Sequence, residues 1–86
     1  MNALIGDIGN TVTKLCLIET SNFKIKKIIY FNSKNILTDI FIKKKLKKII
    51  NKKIIKKEAL FSSVVPKYHL KLKKILKKIY KIKLIE

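Results

Sequence analysis

Tryptophan and arginine are absent from this 86-residue chain, and cysteine, proline and histidine occur once each. The single cysteine, Cys16, excludes an internal disulfide and fits a reducing compartment. Its apolar neighbours make it a small buried hydrophobe rather than a catalytic thiol. The single histidine, His69, comes with no sequence sign of an orienting acid, and one His does not make a metal site. It reads as a surface residue in the first turn of a helix. No uninterrupted apolar run reaches the ~18 residues of a membrane span, and Asp7 with Lys14 interrupts any signal-peptide core. The expected location is cytoplasmic. No linker rich in Gly, Ser or Pro and no internal repeat is visible, so the chain reads as at most one small domain, able to bury roughly 60–68% of its unfolded surface.

Acidic residues are also scarce. Five of them face 22 basic residues, all lysine, for a net charge of +17. Such a balance points to nucleic acid or an anionic membrane surface as partner. The absence of arginine argues the other way, because its planar fork is the preferred group for phosphate and base-edge recognition. Lysine and isoleucine are abundant together, as expected from AAA and ATA codons in an AT-rich genome. The charge is therefore read mainly as compositional background.

What is present is a specific turn. Ala3-Leu4-Ile5 begins an apolar strand over about Asn2 to Ile8, and Thr11 to about Glu19 is a second strand rich in β-branched and aliphatic residues. Gly9-Asn10 between them is a two-residue hairpin signal. Gly9 tolerates positive φ, and its missing Cβ lets the backbone approach a ligand. Asp7, Asn10 and Thr11 gather a carboxylate, an amide and a hydroxyl at one end of the hairpin. Backbone N–H groups with Asn and Thr donors suit phosphate oxygens, and the carboxylate suits Mg²⁺ directly or through water. Taken alone, the pattern also fits a plain hairpin.

The first strand is apolar on both faces, which suits a central place in a sheet covered by helices. In the second, Thr13, Leu15 and Leu17 share one face, and Val12, Lys14, Cys16 and Ile18 the other. Ser21-Asn22 is a turn signal, and Phe23 to Phe31 is a third strand whose lysines, Lys24 and Lys26, suit a sheet edge. A polar loop, Asn32 to Asn35, precedes a helix from Ile36 to roughly Asn51 with Leu37, Ile40, Phe41, Leu46, Ile49 and Ile50 at helical spacing. Ser33, Asn35 or Thr38 could cap it. Ile54-Ile55 either extends the helix or belongs to the following loop. Glu58 to Val65 is a short buried strand ended by Pro66, which suits a helix start. Tyr68, Leu72, Ile75, Leu76 and Ile79 form one stripe of the second helix. Ile82 to Ile85 looks like a further strand. Ser62 and Ser63 have no acid-base constellation and are read as structural.

The Asp7-Ile8-Gly9-Asn10-Thr11 turn, together with Ser62-Ser63-Val64-Val65-Pro66 and the basic amphipathic helix after it, resembles the type III pantothenate kinases of the acetate-and-sugar-kinase, heat-shock-chaperone and actin superfamily. The resemblance spans the whole chain. It implies an α/β fold: a ribonuclease-H-like half-domain of order βββαβαβ, with a mixed sheet in which an antiparallel meander is followed by crossover helices. Residues 1–86 would form an N-terminal ATP-phosphate-binding subdomain, incomplete at its C-terminal end, with the family's second domain absent.

The implied activity is transfer of the ATP γ-phosphoryl group to pantothenate in coenzyme A biosynthesis. The implied cofactors are ATP, Mg²⁺ and a monovalent cation, K⁺ or NH₄⁺. By this resemblance Asp7, Gly9, Asn10, Thr11 and Lys14 contact the ATP phosphates, and Asp7 organises Mg²⁺ or its waters. The family's homodimer interface lies in its second domain. Its Gly-x-Asp-Arg motif with the catalytic base and its second Asp-x-Gly-Thr motif do not occur here, so residues 1–86 alone are expected to be inactive. Gly6 stands where the family usually carries an aliphatic residue, which implies a small packing defect. A lysine-rich nucleic-acid or anionic-membrane binding module, or a degenerate gene remnant, is the alternative.

Overall fold

The computed structural model describes residues 1–50 and 55–85. In chain order the elements are β1 (Asn2–Ile8), β2 (Val12–Glu19), β3 (Ile25–Asn32), a 3-10 helix (Ser33–Leu37), α1 (Asp39–Ile50), β4 (Glu58–Ser63), α2 (Pro66–Tyr80) and β5 (Lys83–Ile85). The strands form one sheet in the order β3-β2-β1-β4-β5. The first three are antiparallel neighbours, β4 runs parallel to β1, and β5 runs parallel to β4. This is the meander followed by crossovers that the βββαβαβ order predicts, with β1 central and β3 at the edge.

Period-two alternation sorts the strand residues onto two faces. Leu4, Ile8, Thr13, Leu15, Leu17, Phe31, Ala59, Phe61 and Leu84 are buried on one of them. They join Ile42, Leu46, Ile49 and Ile50 of α1 and Tyr68, Leu72, Ile75 and Leu76 of α2, where apolar residues recur at helical spacing; apart from Thr13, these form one apolar core. Gly6 leaves no defect in it. A Cβ built on Gly6 would lie 2.3 Å from Cε2 of Phe61, so the ring of the neighbouring strand fills the space an aliphatic side chain would take.

Among the described residues the helices lie on this face; on the opposite one Ile28 and Tyr30 of β3, Leu60 of β4 and Ile85 of β5 are exposed, and Cys16 of β2 is buried.

Local differences have local causes. The Asn32–Asn35 stretch is not an open loop: the Asn32 side chain accepts the Lys34 N–H at 3.2 Å and starts the 3-10 helix. Thr38 is the junction, donating its N–H to the Asn35 carbonyl while its own carbonyl accepts from Ile42. The α-helix therefore begins at Asp39 rather than Ile36. Phe23 is not in the third strand; it sits at φ 57 in the preceding turn, where the Asn22 side chain accepts the Lys24 N–H. Ile55 makes a parallel bridge with Asn2 and so belongs to the approach to β4. Asn51 and Ile54 lie outside the described residues.

Candidate functional site

β1 delivers Asp7 and the turn after it to one end of the sheet. Ile8 pairs with Thr13, and Gly9 donates its N–H to the Val12 carbonyl at 3.1 Å. The chain therefore reverses at Asn10-Thr11, one residue later than the Gly9-Asn10 signal suggests. Neither glycine has a positive φ. Gly9 is required by close approach instead, since a Cβ there would lie 2.9 Å from the Val12 carbonyl oxygen. Its N–H is already engaged, which leaves the exposed Asn10 and Thr11 to present polar groups outward.

Two neighbouring segments fix this turn. Ser33 donates its N–H to the Thr11 carbonyl at 2.8 Å, and Val64 donates to the Ile8 carbonyl at 3.1 Å. Beneath the turn, the buried Thr13 and Ser33 hydroxyls hydrogen-bond at 2.7 Å. A polar loop held from the start of the 3-10 helix and from the exit of β4 keeps its geometry before any ligand arrives, which reduces the ordering cost of binding.

Asp7 projects from the uncovered face. Across the sheet its register partners are Lys14 on β2 and Ser62 on β4, and Lys14 is paired in turn with Tyr30 on β3. Asp7 and Lys14 line a shallow hollow of about 160 Å³ with Ile5, Gly6 and Cys16. The structure thus places Asp7 and Lys14 together on one face and Gly9, Asn10 and Thr11 at the adjoining end. Ser62 joins this group through the parallel pairing of β1 with β4, a register that the sequence of either strand does not encode. Cys16 is buried, as its apolar neighbours imply, and its place is beside the hollow.

Other candidates fall elsewhere. The Ser63 hydroxyl donates to the Val65 carbonyl and accepts the Val65 N–H, both at 3.2 Å, so it shapes the turn into α2. His69 is half-buried in the first turn of that helix. Asp39 lies in the helix layer, ion-paired with Lys71, which holds its carboxyl below the usual range. Glu19 is likewise lowered, first by its hydrogen bond with the N-terminal ammonium at 2.8 Å. Burial raises the Tyr80 phenol. Two larger grooves, about 250 and 330 Å³, are lined largely by lysines of α1 and α2 and hold none of the turn residues.

A fixed polar turn beside a carboxylate and an ammonium is suited to binding a phosphate chain with its counter-ion, and comparison with known proteins places it in context. The sequence model described as type III pantothenate kinase matches residues 3–86. The type III pantothenate kinase of Pelagibacter ubique (strain HTCC1062) is 43% identical over 84 residues, a match that takes in 93% of this chain and 32% of that protein. The chain thus spans about a third of the length of this curated relative. Among solved structures, the Ppx/GppA family member of Aquifex aeolicus superposes with a TM-score of 0.55 at 14% identity, over 99% of this chain and 35% of that one. At that identity the likeness concerns the fold alone, and it agrees with the ribonuclease-H-like arrangement of the sheet. With the family model matched along nearly its whole length, the chain belongs to the type III pantothenate kinase family.

Proposed function

We propose that this chain is the ATP-phosphate-binding part of a pantothenate kinase, serving γ-phosphoryl transfer from ATP to pantothenate on the way to coenzyme A. The observation that carries the reading is the convergence of the Asp7–Lys14 pair and the anchored Gly9–Thr11 turn at one end of the sheet, where β1 and β4 both finish. Ligands of open α/β sheets bind beyond the carboxyl ends of parallel strands.

In this proposal Asn10 and Thr11 donate to phosphate oxygens, Lys14 neutralises phosphate charge, and Gly9 allows the tight approach of the turn. Asp7 takes Mg²⁺ directly or through water. Its exposed carboxylate beside an open hollow fits an ion that keeps several waters and shares its coordination between one or two carboxylates and substrate phosphates. Among the described residues no group of three or more His, Cys, Asp or Glu side chains forms a protein cage for a metal. When bound, Mg²⁺ spreads and offsets the phosphate charge, which is the main need of phosphoryl transfer. A monovalent cation is the further cofactor the family implies. We assign no residue of this chain as catalytic base, since Asp39 is committed to Lys71 in the helix layer. Residues 1–86 alone bind nucleotide and do not turn it over, and we place this work in the cytoplasm.

Calorimetric titration of the chain with ATP tests the reading. Binding should strengthen with Mg²⁺, and Asp7→Asn should weaken the Mg²⁺-dependent part by about tenfold, the worth of roughly 1.4 kcal/mol. Affinity that ignores Mg²⁺ and Asp7, falls steeply with salt and is equal for ATP and DNA would replace the kinase reading with a lysine-driven polyanion binder. Phosphopantothenate formed by residues 1–86 alone would overturn the assigned inactivity.

A further inference from the structure

The helix layer concentrates charge of one sign. α1 and α2 together carry eleven lysines and one acidic residue, Asp39. Asp7 and Glu58 lie on strands β1 and β4, and Glu19 holds the amino end. Codon bias sets the number of lysines; the fold sets where they converge. Asp39 and Lys43 of α1 face Lys71, Lys74 and Lys78 of α2 across a groove of about 250 Å³, with Ile75 in its lining. Lys71 is hydrogen-bonded to the Asp39 carboxylate and lowers its pKa first, and the charges of Lys43 and Lys78 add to that effect. Four ammonium groups therefore surround one carboxylate, and the groove stays positive. A cleft lined by one sign of charge focuses the field and draws in the opposite sign.

The lysines of α2 are also regularly placed. Lys67, Lys71, Lys74 and Lys78 stand at i, i+4, i+7 and i+11, one helical stripe about 16 Å long with a charge at each turn. A strand of duplex DNA carries a phosphate about every 3.4 Å of helix axis, so roughly five phosphates lie along such a stripe. Lys43 of α1 borders the same path from the other side of the groove.

We propose that the groove between α1 and α2 binds the phosphate backbone of duplex DNA, without reading its sequence, at a site separate from the Asp7–Thr11 turn. Lysine alone, with no arginine in the chain, supplies point charges for phosphates and no planar fork for base edges. No aromatic ring lines the groove to stack the bases of a single strand, and no amide or hydroxyl lines it to recognise the 2′-OH of RNA. A membrane-surface helix needs its apolar face for the bilayer, whereas the apolar face of α2 is spent on the core, where Tyr68, Leu72, Ile75 and Leu76 are buried. A second copy of a chain of charge +17 is repelled from the same groove.

Fluorescence anisotropy of a short labelled DNA duplex, titrated with the full chain between about 50 and 200 mM salt, tests the proposal. Duplexes of unrelated sequence should bind alike, and affinity should fall steeply with salt. Lys74→Gln with Lys78→Gln should weaken binding at least tenfold and make the slope of log affinity against log salt shallower by about 2. Lys24→Gln with Lys26→Gln, which removes the same charge beside the edge strand β3, should leave the slope unchanged. Asp39→Asn should tighten binding, because it frees Lys71 for phosphate. Circular dichroism of each variant should match that of the parent chain. Equal losses from the two double substitutions would show that net charge alone binds DNA and would overturn the groove; so would weaker binding by Asp39→Asn. Duplex RNA, poly-glutamate or vesicles of phosphatidylcholine and phosphatidylserine bound more tightly than DNA would overturn the occupant. Mg²⁺-ATP affinity should be the same in the Lys74 and Lys78 double variant as in the parent, since this site does not rest on the phosphate reading of the turn; a parallel loss of both ligands would merge the two sites and overturn their separation.

Discussion

A methyl group added at Gly6 would sit 2.3 Å from the Phe61 ring, well inside van der Waals contact. Phe61 is buried in the core, so the ring has little room to retreat. Gly6→Ala should therefore destabilise the chain by about 1–3 kcal/mol, the usual cost of overpacking. Phe61→Leu should cost stability alone yet recover part of the loss when combined with Gly6→Ala, a coupling that a urea-denaturation double-mutant cycle reads directly. The sequence shows the glycine but not its partner, 55 positions away along the chain. Gly9 is similar in kind: its hairpin character is legible, whereas the crowding against the Val12 carbonyl becomes evident only once the two strands are in register.

Between elements, the buried Thr13–Ser33 hydrogen bond ties β2 to the 3-10 helix under the turn. Thr13→Val preserves shape but strands the Ser33 hydroxyl away from water, and should cost about 1–3 kcal/mol in equilibrium unfolding. Adding Ser33→Ala should make the pair cost less than the sum of the two single changes. The Asp39–Lys71 ion pair joins α1 to α2, and the Glu19 carboxylate holds the chain's amino end. Both carboxyls are held below their ordinary values. Their contribution is complete above the ordinary carboxylate range of about pH 4 and is lost as pH falls through the lowered folded values. Asp39→Asn should therefore lower the melting temperature slightly at pH 7 and flatten its fall below about pH 4 by the same small amount, because the pair is exposed. The helical stripes themselves were legible from spacing. The 3-10 segment was not, because helical spacing in Ile36-Leu37 runs on without a break and only the cap at Asn32 and the junction at Thr38 divide it.

For the molecule as a whole, 22 lysines against five acidic residues make self-repulsion a general term in stability. Salt shortens the range of that repulsion to about 10 Å at 0.1 M. Raising ionic strength from about 0.02 to 0.3 M should raise the melting temperature by a few degrees, read by circular dichroism, because screening relieves the compact state more than the expanded one. A melting temperature that falls with salt would show that the ion pairs outweigh the repulsion. Among the described residues no helix is long and apolar enough to cross a membrane.

The sequence by itself determined the element order, the meander, the family and the turn that carries Asp7, Asn10 and Thr11. Each of these rests on neighbours in the chain: alternation, helical spacing and the short DIGNT and SSVVP motifs. The tertiary structure alone decided what faces what. Placing β4 beside β1 brought Ser62 to Asp7 and Phe61 over Gly6, and it aligned Leu60 with Ile5 on the face away from the helices. Packing both helices on one side left Ile28, Leu60 and Ile85 exposed on the other, where Cys16 is buried. Strands at the centre of a sheet are apolar on both faces, so nothing in the sequence of β1 tells a face covered by this chain from one left bare. Register between strands distant in sequence is set by how the whole core closes, and no local pattern carries it.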